Sequence, residues 1–307
     1  MEVANKIVLV QKGALGDFLQ AWPSMLAISR QMRKQELLWA GKEAYSLWTE
    51  PLGFKDSPLY RKRVEQIYAA DTWPPSLEDC RIIWFGLRKA PTESHLPGLW
   101  FIPMLEEEGY SPPQDICLQH LRQEGFSAEW DWKGVWSDLF PSRELQPDPF
   151  RVLLFPGAGH PSKCWPLERF LDIAQWLRRL GYRPCFVLGP AELERGMRIE
   201  DFPRVIPDDF WQLQRWIQSS GLVFGNDSGP LHLAACCQAP GLALFGPSPA
   251  RQWGPQGLVT LSGEAPCRPC TRMGIIHCSD PVCLRTIGVK EVRAVLRRIL
   301  PGSGEPG

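Results

Sequence analysis

The sequence predicts an α/β fold built from two units with parallel sheets. Short apolar, β-branched runs alternate with longer segments whose apolar residues recur at helical spacing, a pattern typical of parallel strands covered by helices. This alternation occurs twice, and a stretch rich in proline and charge, PSRELQPDP at 141–149, separates the two series. A length of 307 residues also favours two domains over one.

The first half opens with a strand, a turn and a helix. KIVLV at 6–10 predicts the strand, and FLQAWPSMLAISRQM at 18–32 has the spacing of an amphipathic helix. The break between them, QKGALGD at 11–17, carries two glycines and an acidic residue near the helix start. ELLWA at 36–40 and RIIWFGL at 81–87 predict further strands, while the pattern from 50 to 140 is weak.

In the second half, predicted strands and helices alternate more clearly. Strands are predicted at RVLLFPG (151–157), RPCFVLGP (183–190), GLVFG (221–225) and GLALFG (241–246), and helices at LERFLDIAQWLRRLGY (167–182), LHLAACCQA (231–239) and VKEVRAVLRRIL (289–300). We expect the terminal PGSGEPG to be disordered.

Composition narrows the classes of function. Lys plus Arg number 34 and Asp plus Glu also number 34, so there is no broad basic surface for nucleic acid. The runs Arg61-Lys62-Arg63 and Arg297-Arg298 are short and typical of solvated surface. No apolar stretch approaches the roughly 20 residues of a membrane span, and MEVANKIVLVQKG lacks the features of a signal peptide. We therefore expect a cytoplasmic protein.

A row of small and polar residues between two apolar runs is the first candidate site. Asp227, Ser228, Gly229, Pro230 and His232 fall where a predicted strand ends and a helix begins. Ligands of open α/β sheets bind at this edge, and the free amides of a helix start favour phosphate. A capped helix without a ligand, with Ser228 or Asp227 as the cap, is the simpler explanation of the motif taken alone.

Two further residues are expected at the same edge. Lys163 precedes a predicted helix start and could neutralise a diphosphate, although such a lysine is often only solvated. Glu192 follows the strand at 183–190 and could accept hydrogen bonds from ribose hydroxyls, although acids are also common at helix starts.

The cysteine spacing gives a second candidate site, for a metal ion. Cys267, Cys270, Cys278 and Cys283 form a tight group that could hold a structural zinc or iron ion; the alternative is four reduced thiols in a folded loop. Ten cysteines in a cytoplasmic protein favour reduced thiols over disulfides. The sequence contains no Asp-x-Asp, which disfavours a Mg²⁺ ion held on paired aspartates.

Three motifs resemble glycosyltransferase family 9, the ADP-heptose:lipopolysaccharide heptosyltransferases: GALGD at 13–17, PGAGHPSKCWPLERF at 156–170, and GLVFGNDSGPLHLAA followed by ALFGPSPARQWGP within 221–255. The resemblance is strong from 151 to 290 and weak from about 40 to 140. It implies a GT-B fold, with two Rossmann-like domains whose parallel sheets face each other across a cleft. The boundaries would be 1–145 for an acceptor domain, 151–287 for a nucleotide-sugar domain and 288–300 for a helix packing back toward the first domain.

The resemblance also implies a reaction. An ADP-heptose donor would give its heptose to a lipid-linked saccharide of the lipopolysaccharide core, with inversion and without a catalytic metal, on a protein that visits the inner face of the inner membrane. The resemblance places the catalytic base at Asp17, with Gly13 and Gly16 letting donor and acceptor approach the backbone. Without it, Asp17 would be interpreted as a helix cap.

Other functions remain open alongside this one. They are a family relative that uses another nucleotide sugar or a protein acceptor, a GT-B nucleotide-sugar epimerase, and a silent module that binds a nucleotide without catalysis.

Overall fold

A computed structural model of the protein describes residues 5–87, 89–92, 95–128, 131–142 and 147–301. The chain divides into two compact units, residues 1–132 and 133–307. The proline-rich stretch predicted as the linker at 141–149 falls after this division, and its residues 143–146 lie outside the described part. Residues 302–307 of the tail expected to be disordered also lie outside it.

Unit 1 is built on a parallel sheet. Its strands are β1 (Lys6–Gln11), β2 (Glu36–Trp39), β3 (Lys55–Asp56), β4 (Cys80–Gly86) and β5 (Leu99–Pro103), in the spatial order β3-β2-β1-β4-β5. Every pairing among these strands is parallel. Because the chain turns one way from β1 to β2 and reaches β4 on the other side, the order reverses at β1, and the carboxyl ends of β1 and β4 flank that reversal.

The helices of unit 1 cover this sheet. They are α1 (Leu15–Gln31), α2 (Ser46–Thr49), α3 (Pro58–Arg63) and α4 (Pro113–Gln123). α1 buries Phe18, Trp22 and Met25, which recur at three- and four-residue spacing and put one face on the core. Phe18 stacks on Tyr45 with ring centroids 4.4 Å apart, so the residues just before α2 pack on the start of α1. α1 is therefore held firmly where it leaves β1.

Unit 2 repeats the design with one more strand. Its strands are β6 (Asp148–Phe155), β7 (Arg183–Val187), β8 (Arg204–Val205), β9 (Ser220–Asn226), β10 (Gly241–Phe245) and β11 (Val259–Ser262), in the order β11-β10-β9-β6-β7-β8. These pairings are again parallel, so the reversal lies between β6 and β9. A small antiparallel hairpin joins β12 (Thr271–Arg272) to β13 (Ile275–Ile276).

Unit 2 includes helices on its sheet and around its edges. They are α5 (Trp132–Leu139), α6 (Leu167–Arg179), α7 (Pro190–Glu194), α8 (Phe210–Gln218), α9 (Gly229–Cys236), α10 (Ala250–Trp253), α11 (Val282–Thr286) and α12 (Val289–Ile299). A large core cluster joins Phe170 of α6, Phe224 of β9 and Leu296 of α12. α12 thus packs on its own unit, against α6 and β10. The expectation that it returns toward the first domain stays a prediction.

The predicted class of fold is confirmed: both units are Rossmann-like α/β layers with parallel sheets. Strands β1, β2, β4, β6, β7, β9 and β10 and helices α1, α6, α9 and α12 occur where the patterns place them. Among the residues that the structure describes, no helix has both the length and the apolar character that crossing a membrane requires.

Candidate functional site

The candidate site of unit 2 lies where its strand order reverses. β6 and β9 are neighbours, and the loop after each leaves at the carboxyl edge of the sheet. The loop after β6 leads through a short 3-10 turn, Pro161–Lys163, into α6, and the turn after β9 leads into α9. A crevice at such a reversal is the usual ligand position in open α/β sheets.

Asn226, the last residue of β9, fixes the two loops relative to each other. Its side chain is fully buried, its Nδ2 donates to the Pro156 carbonyl at 2.7 Å, and its Oδ1 accepts from the Trp165 amide at 3.0 Å. Both ends of the β6–α6 loop are therefore tied to β9. Breaking either bond would leave a buried amide group unpaired, so the loop geometry is well determined.

Lys163 and Asp227 form an ion pair across this edge. The Nζ atom of Lys163 lies 2.8 Å from Oδ2 of Asp227, whose side chain is only 5% exposed. A buried carboxylate needs such a partner, because desolvation otherwise disfavours its charged form. The pair brings two of the predicted donor-site residues together and keeps a cationic group at the edge.

Helix α9 begins beside this pair. Gly229 and Pro230 are its first two residues and Ser228 is its N-cap, but the Ser228 side chain makes no capping hydrogen bond. Among the described residues, the buried Ser228 Oγ has no hydrogen-bond partner. Side-chain capping, the simpler explanation of the motif, is therefore absent. The Gly229 amide is available to an anion, whereas Pro230 has no N–H and the Leu231 amide donates to the Ser228 carbonyl at 3.1 Å.

His232 lies in the first turn of α9 and is buried. Burial lowers the pKa of its imidazole to about 4; the negative charge of Asp227 opposes this shift and the positive charge of Lys163 adds to it. The imidazole is therefore neutral at pH 7 and carries one N–H donor and one acceptor. It can orient a ligand without adding charge.

Glu192 occupies the neighbouring position along the same edge. It accepts a hydrogen bond from the Gly189 amide at 2.8 Å at the start of α7, which is the helix-start role that the sequence left open. Its carboxylate also fills the space above Gly157, where a Cβ atom would lie 1.7 Å from Oε1. Arg195 donates to the Ala158 carbonyl at 2.8 Å and ties α7 to the loop after β6. Glu192 is thus placed beside that loop.

In unit 1, the turn between β1 and α1 carries the other candidates. Asp17 is the third residue of α1 and accepts a hydrogen bond from the Ala14 amide at 2.9 Å, so it stabilises the helix start without being its N-cap. Gly13 must be glycine, because a Cβ atom there would lie 2.7 Å from Asp17 Oδ2. Gly16, the second residue of α1, is half-buried.

Two residues that the sequence did not single out support this turn. The Gln11 side chain, 1% exposed, accepts from the Gly13 amide at 3.0 Å. The buried Tyr45 hydroxyl donates to the Gly13 carbonyl at 3.3 Å. Burial raises the pKa of Tyr45, and the charge of Asp17 raises it further.

The cysteine segment is attached to the edge that carries Lys163. Ser162 Oγ donates to the Cys278 carbonyl at 2.6 Å, and the Cys270 amide donates to the Pro247 carbonyl at 3.0 Å. Burial raises the pKa of Cys270 to about 11, with the neighbouring Cys267 and Cys278 thiols adding to the shift. The Cys283 thiol is buried.

The fit of these thiols to a metal can be judged from their placement. Over the described ranges, no group of three or more His, Cys, Asp or Glu side chains is placed to hold a metal ion. The zinc or iron site therefore stays a prediction.

The structure thus brings Lys163, Asp227, Ser228, Gly229 and His232 together at one edge of unit 2, with Pro230 in the same helix turn and Glu192 beside the adjoining loop. Asp17, Gly13 and Gly16 share one turn of unit 1. The supporting residues Asn226, Gln11 and Tyr45 were missed. Asn226 and Gln11 are each the last residue of an apolar strand, and this position could have revealed them, because a buried side-chain amide needs hydrogen-bond partners.

A family model and a curated relative match parts of the chain. Residues 126–276 match the family model described as glycosyltransferase family 9 (heptosyltransferase). Over 113 residues, 34% of this chain, the sequence is 28% identical to lipopolysaccharide heptosyltransferase 3 of Escherichia coli (strain K12). The matched stretch spans 33% of the length of that relative.

Solved structures share the fold over nearly the whole chain. A glycosyl transferase family 9 protein from Veillonella parvula DSM 2008 superposes with a TM-score of 0.70 at 19% identity, covering 98% of each chain. The E. coli heptosyltransferase WaaC with ADP superposes with a TM-score of 0.63 at 14% identity, covering 95% of this chain and 99% of that one. The resemblance inferred from the motifs is therefore confirmed: the protein has the GT-B fold, and its residues 126–276 match the glycosyltransferase family 9 model.

Proposed function

We propose that the protein is an inverting, metal-independent glycosyltransferase that moves heptose from ADP-heptose to a lipid-linked saccharide of the lipopolysaccharide core. The observation that carries the proposal is the cluster of Lys163, Asp227, Ser228 and His232 at the helix start that follows β9. The family match covers this cluster, and the matched relatives are named as heptosyltransferases.

In this proposal, unit 2 holds the donor by its diphosphate. Breaking the bond between the anomeric carbon and the diphosphate oxygen passes through an oxocarbenium-like state, so negative charge grows on the departing ADP. The Lys163 ammonium and the uncapped Gly229 amide at the start of α9 supply fixed positive groups for that charge. No reorganisation is needed, since Asp227 and Asn226 already hold these groups in place.

His232 contributes a hydrogen bond. Its neutral imidazole can donate to a phosphate oxygen or to a sugar hydroxyl. Glu192, beside the loop after β6, would accept hydrogen bonds from the ribose hydroxyls. A carboxylate acceptor recognises a hydroxyl pair and is common in nucleotide sites of this type of fold.

Asp17 would act as the general base. As the acceptor oxygen attacks the anomeric carbon, its proton passes to the Asp17 carboxylate, the carbon–oxygen bond to the diphosphate breaks, and ADP leaves. Attack from the face opposite to the leaving group inverts the anomeric carbon. The hydrogen bond from Ala14 orients the carboxylate, and the Gln11 and Tyr45 bonds to Gly13 fix the turn that carries it.

The experiment uses purified full-length protein with ADP-heptose and a lipopolysaccharide acceptor that lacks its outer heptoses. We expect ADP release that depends on the acceptor, and a product heavier by one heptose with the inverted anomeric configuration. Turnover should persist in EDTA. Acceptor-independent conversion of the sugar nucleotide would instead indicate an epimerase, and binding of ADP without any turnover would indicate a silent module.

A further inference from the structure

Four side chains form a cluster at the carboxyl end of β1 in unit 1. Lys12 directly follows β1, and its Nζ lies 4.9 Å from the centre of the Trp84 ring on β4 and 5.1 Å from the centre of the Tyr68 ring. The Tyr68 and Trp84 rings meet edge to face with centroids 5.4 Å apart. Lys12 also forms an ion pair with the Glu65 carboxylate, so it contacts the three other members.

Tyr68 presents an open aromatic face in this cluster. It is 51% exposed, whereas Trp84 is only 5% exposed. The Lys12 ammonium lies over one face of the Tyr68 ring, so the exposed area belongs mainly to the opposite face and to the hydroxyl edge. Single exposed aromatic residues are common on protein surfaces. This ring differs because a cation and a buried ring fix its orientation.

The cluster lies at the edge of the sheet where a ligand is expected. The strand order of unit 1 reverses at β1, and the carboxyl ends of β1 and β4 flank that reversal. The same end of β1 carries the Asp17 turn: Gly13 directly follows Lys12, and a Cβ atom on Gly13 would lie 2.7 Å from Asp17 Oδ2. The open face of Tyr68 and the candidate base therefore belong to the end of one strand.

The cluster and Asp17 lie on different faces of the sheet. Lys12 continues the alternation of β1 and is on the same face as Val10, whose side chain shares a buried cluster with Trp84. Among the described residues, that buried cluster contains no member of α1, the helix that includes Asp17. A ligand that contacts both must therefore extend across the edge, with different groups on Tyr68 and at Asp17.

The charges of the cluster favour an uncharged ligand rich in hydroxyls. Lys12 is already paired with Glu65, and the Glu65 side chain is the more exposed of the two, at 57% against 28%. A phosphate or carboxylate group would be repelled by that carboxylate, whereas a sugar hydroxyl can accept from the ammonium and donate to the carboxylate. The C–H face of a sugar ring also packs favourably on the negative face of an aromatic ring.

We propose that the open face of Tyr68, with Lys12 and Glu65 beside it, binds an uncharged sugar ring of the acceptor, next to the sugar whose hydroxyl reacts. This surface, formed by Lys12, Glu65, Tyr68 and Trp84, is named here the tyrosine platform. The inference rests on the proposed function, because the identity of the ligand as an acceptor saccharide comes from it. The alternative is a structural role, in which the cluster only holds the 3-10 segment Val64–Ala69 against β4.

The first test measures saccharide binding without the donor. A deacylated core oligosaccharide that lacks its outer heptoses is added to full-length protein and followed by saturation-transfer NMR and by calorimetry. We expect saturation transfer to the C–H protons of one ring. Tyr68→Leu should weaken binding about tenfold because the stacking contact is lost, whereas Tyr68→Phe keeps the ring and should bind within about twofold of the wild type.

The second test uses turnover with ADP-heptose. Tyr68→Leu should raise the acceptor KM about tenfold and leave kcat at saturating acceptor near the wild-type value, because the contact is the same before and during the reaction. ADP affinity should not change. Trp211→Leu is the matched control, since Trp211 is 42% exposed on α8 of unit 2, and it should change none of these quantities.

The charge argument has its own variant. Glu65→Gln keeps a hydrogen-bonding group and removes the negative charge, so it should change oligosaccharide binding by about threefold or less. Much tighter binding in this variant would indicate an anionic ligand and would overturn the assignment. Circular dichroism establishes that the variants are folded, and the NMR result on the wild type and the Glu65→Gln result test the platform even if Tyr68→Leu does not fold.

The outcomes separate the platform from the reaction. No binding of the oligosaccharide by the wild type, unchanged binding in Tyr68→Leu, or equal losses in Tyr68→Leu and Tyr68→Phe would overturn the platform. If the wild type transfers heptose and Tyr68→Leu has the same acceptor KM, the platform is wrong and the proposed function stands. If the wild type binds the oligosaccharide through Tyr68 but transfers no sugar, the platform stands and the proposed function is wrong.

Discussion

The ammonium group of Lys163 lies 2.8 Å from the carboxylate of Asp227, and the two residues come from loops at the ends of adjacent strands. The pair therefore couples the loop after β6 to the turn before α9. Lys163 therefore has two roles: its ammonium group stabilises the buried Asp227 carboxylate, and it is available to bind a phosphate of the donor.

Removing the lysine tests both roles. Lys163→Ala leaves the buried Asp227 carboxylate without its partner and should lower the free energy of unfolding by about 3 kcal/mol. ADP binding should weaken as well. Urea denaturation and calorimetry measure the two effects. The double variant Lys163→Met with Asp227→Asn should recover most of the stability but not the ADP affinity. Recovery of neither, or no initial loss, would contradict this account of the pair.

The Asp17 carboxylate in unit 1 should affect turnover but not the binding of ADP. Asp17→Asn should lower kcat by about a hundredfold or more, the usual contribution of a general base, while ADP affinity is unchanged. Glu291→Gln is a structural control, because Glu291 is also the third residue of a helix and faces the amide of its N-cap residue at 3.4 Å. It should leave turnover intact. Equal kinetic losses in both variants would remove the catalytic role of Asp17.

His232 should make stability depend on pH. Its folded pKa of about 4 is below the ordinary value of 6.5, so the unfolded chain binds a proton that the folded protein excludes. Because of this difference, the free energy of unfolding is highest above pH 6.5. It decreases by about 3 kcal/mol as the pH falls from 6.5 to 4. His232→Gln should flatten the unfolding free energy over that window relative to the wild type. Parallel curves for the two proteins would show that the imidazole protonates freely in the folded state.

Gly157 and Glu192 should behave as a coupled pair. A methyl group at position 157 would displace the Glu192 carboxylate, so Gly157→Ala should reduce ADP affinity about as much as Glu192→Ala does, and the double variant should lose little more. Gly159→Ala is the control, because a Cβ atom there meets nothing within 4 Å. Additive losses measured by calorimetry would mean that the two residues act separately.

Much of the fold could be predicted from local patterns. β1, α1, β6, α6 and β9 have strong periodicity and clear boundaries, so each was found near its observed position. The weak region after residue 40 contains elements of only a few residues, such as α2 and α3. These depend on tertiary packing of Tyr45 and Trp48 rather than on their own periodicity, and local reasoning does not see such contacts.

The candidate site was predictable where one motif holds its residues, as at 227–232. Contacts between motifs could not be predicted, because they form only after the strands have paired. The contacts of Lys163 with Asp227 and of Glu192 with Gly157 are of this kind.

The central claim is that the carboxyl edge of unit 2 binds the diphosphate of an adenine nucleotide. Isothermal titration of the full-length protein with ADP, UDP and GDP, each repeated on Lys163→Ala, tests it most directly. The account predicts saturable ADP binding, weaker binding of UDP and GDP, and a marked loss of ADP affinity in the variant. A preference for UDP or GDP, or ADP binding that is indifferent to Lys163, would contradict it.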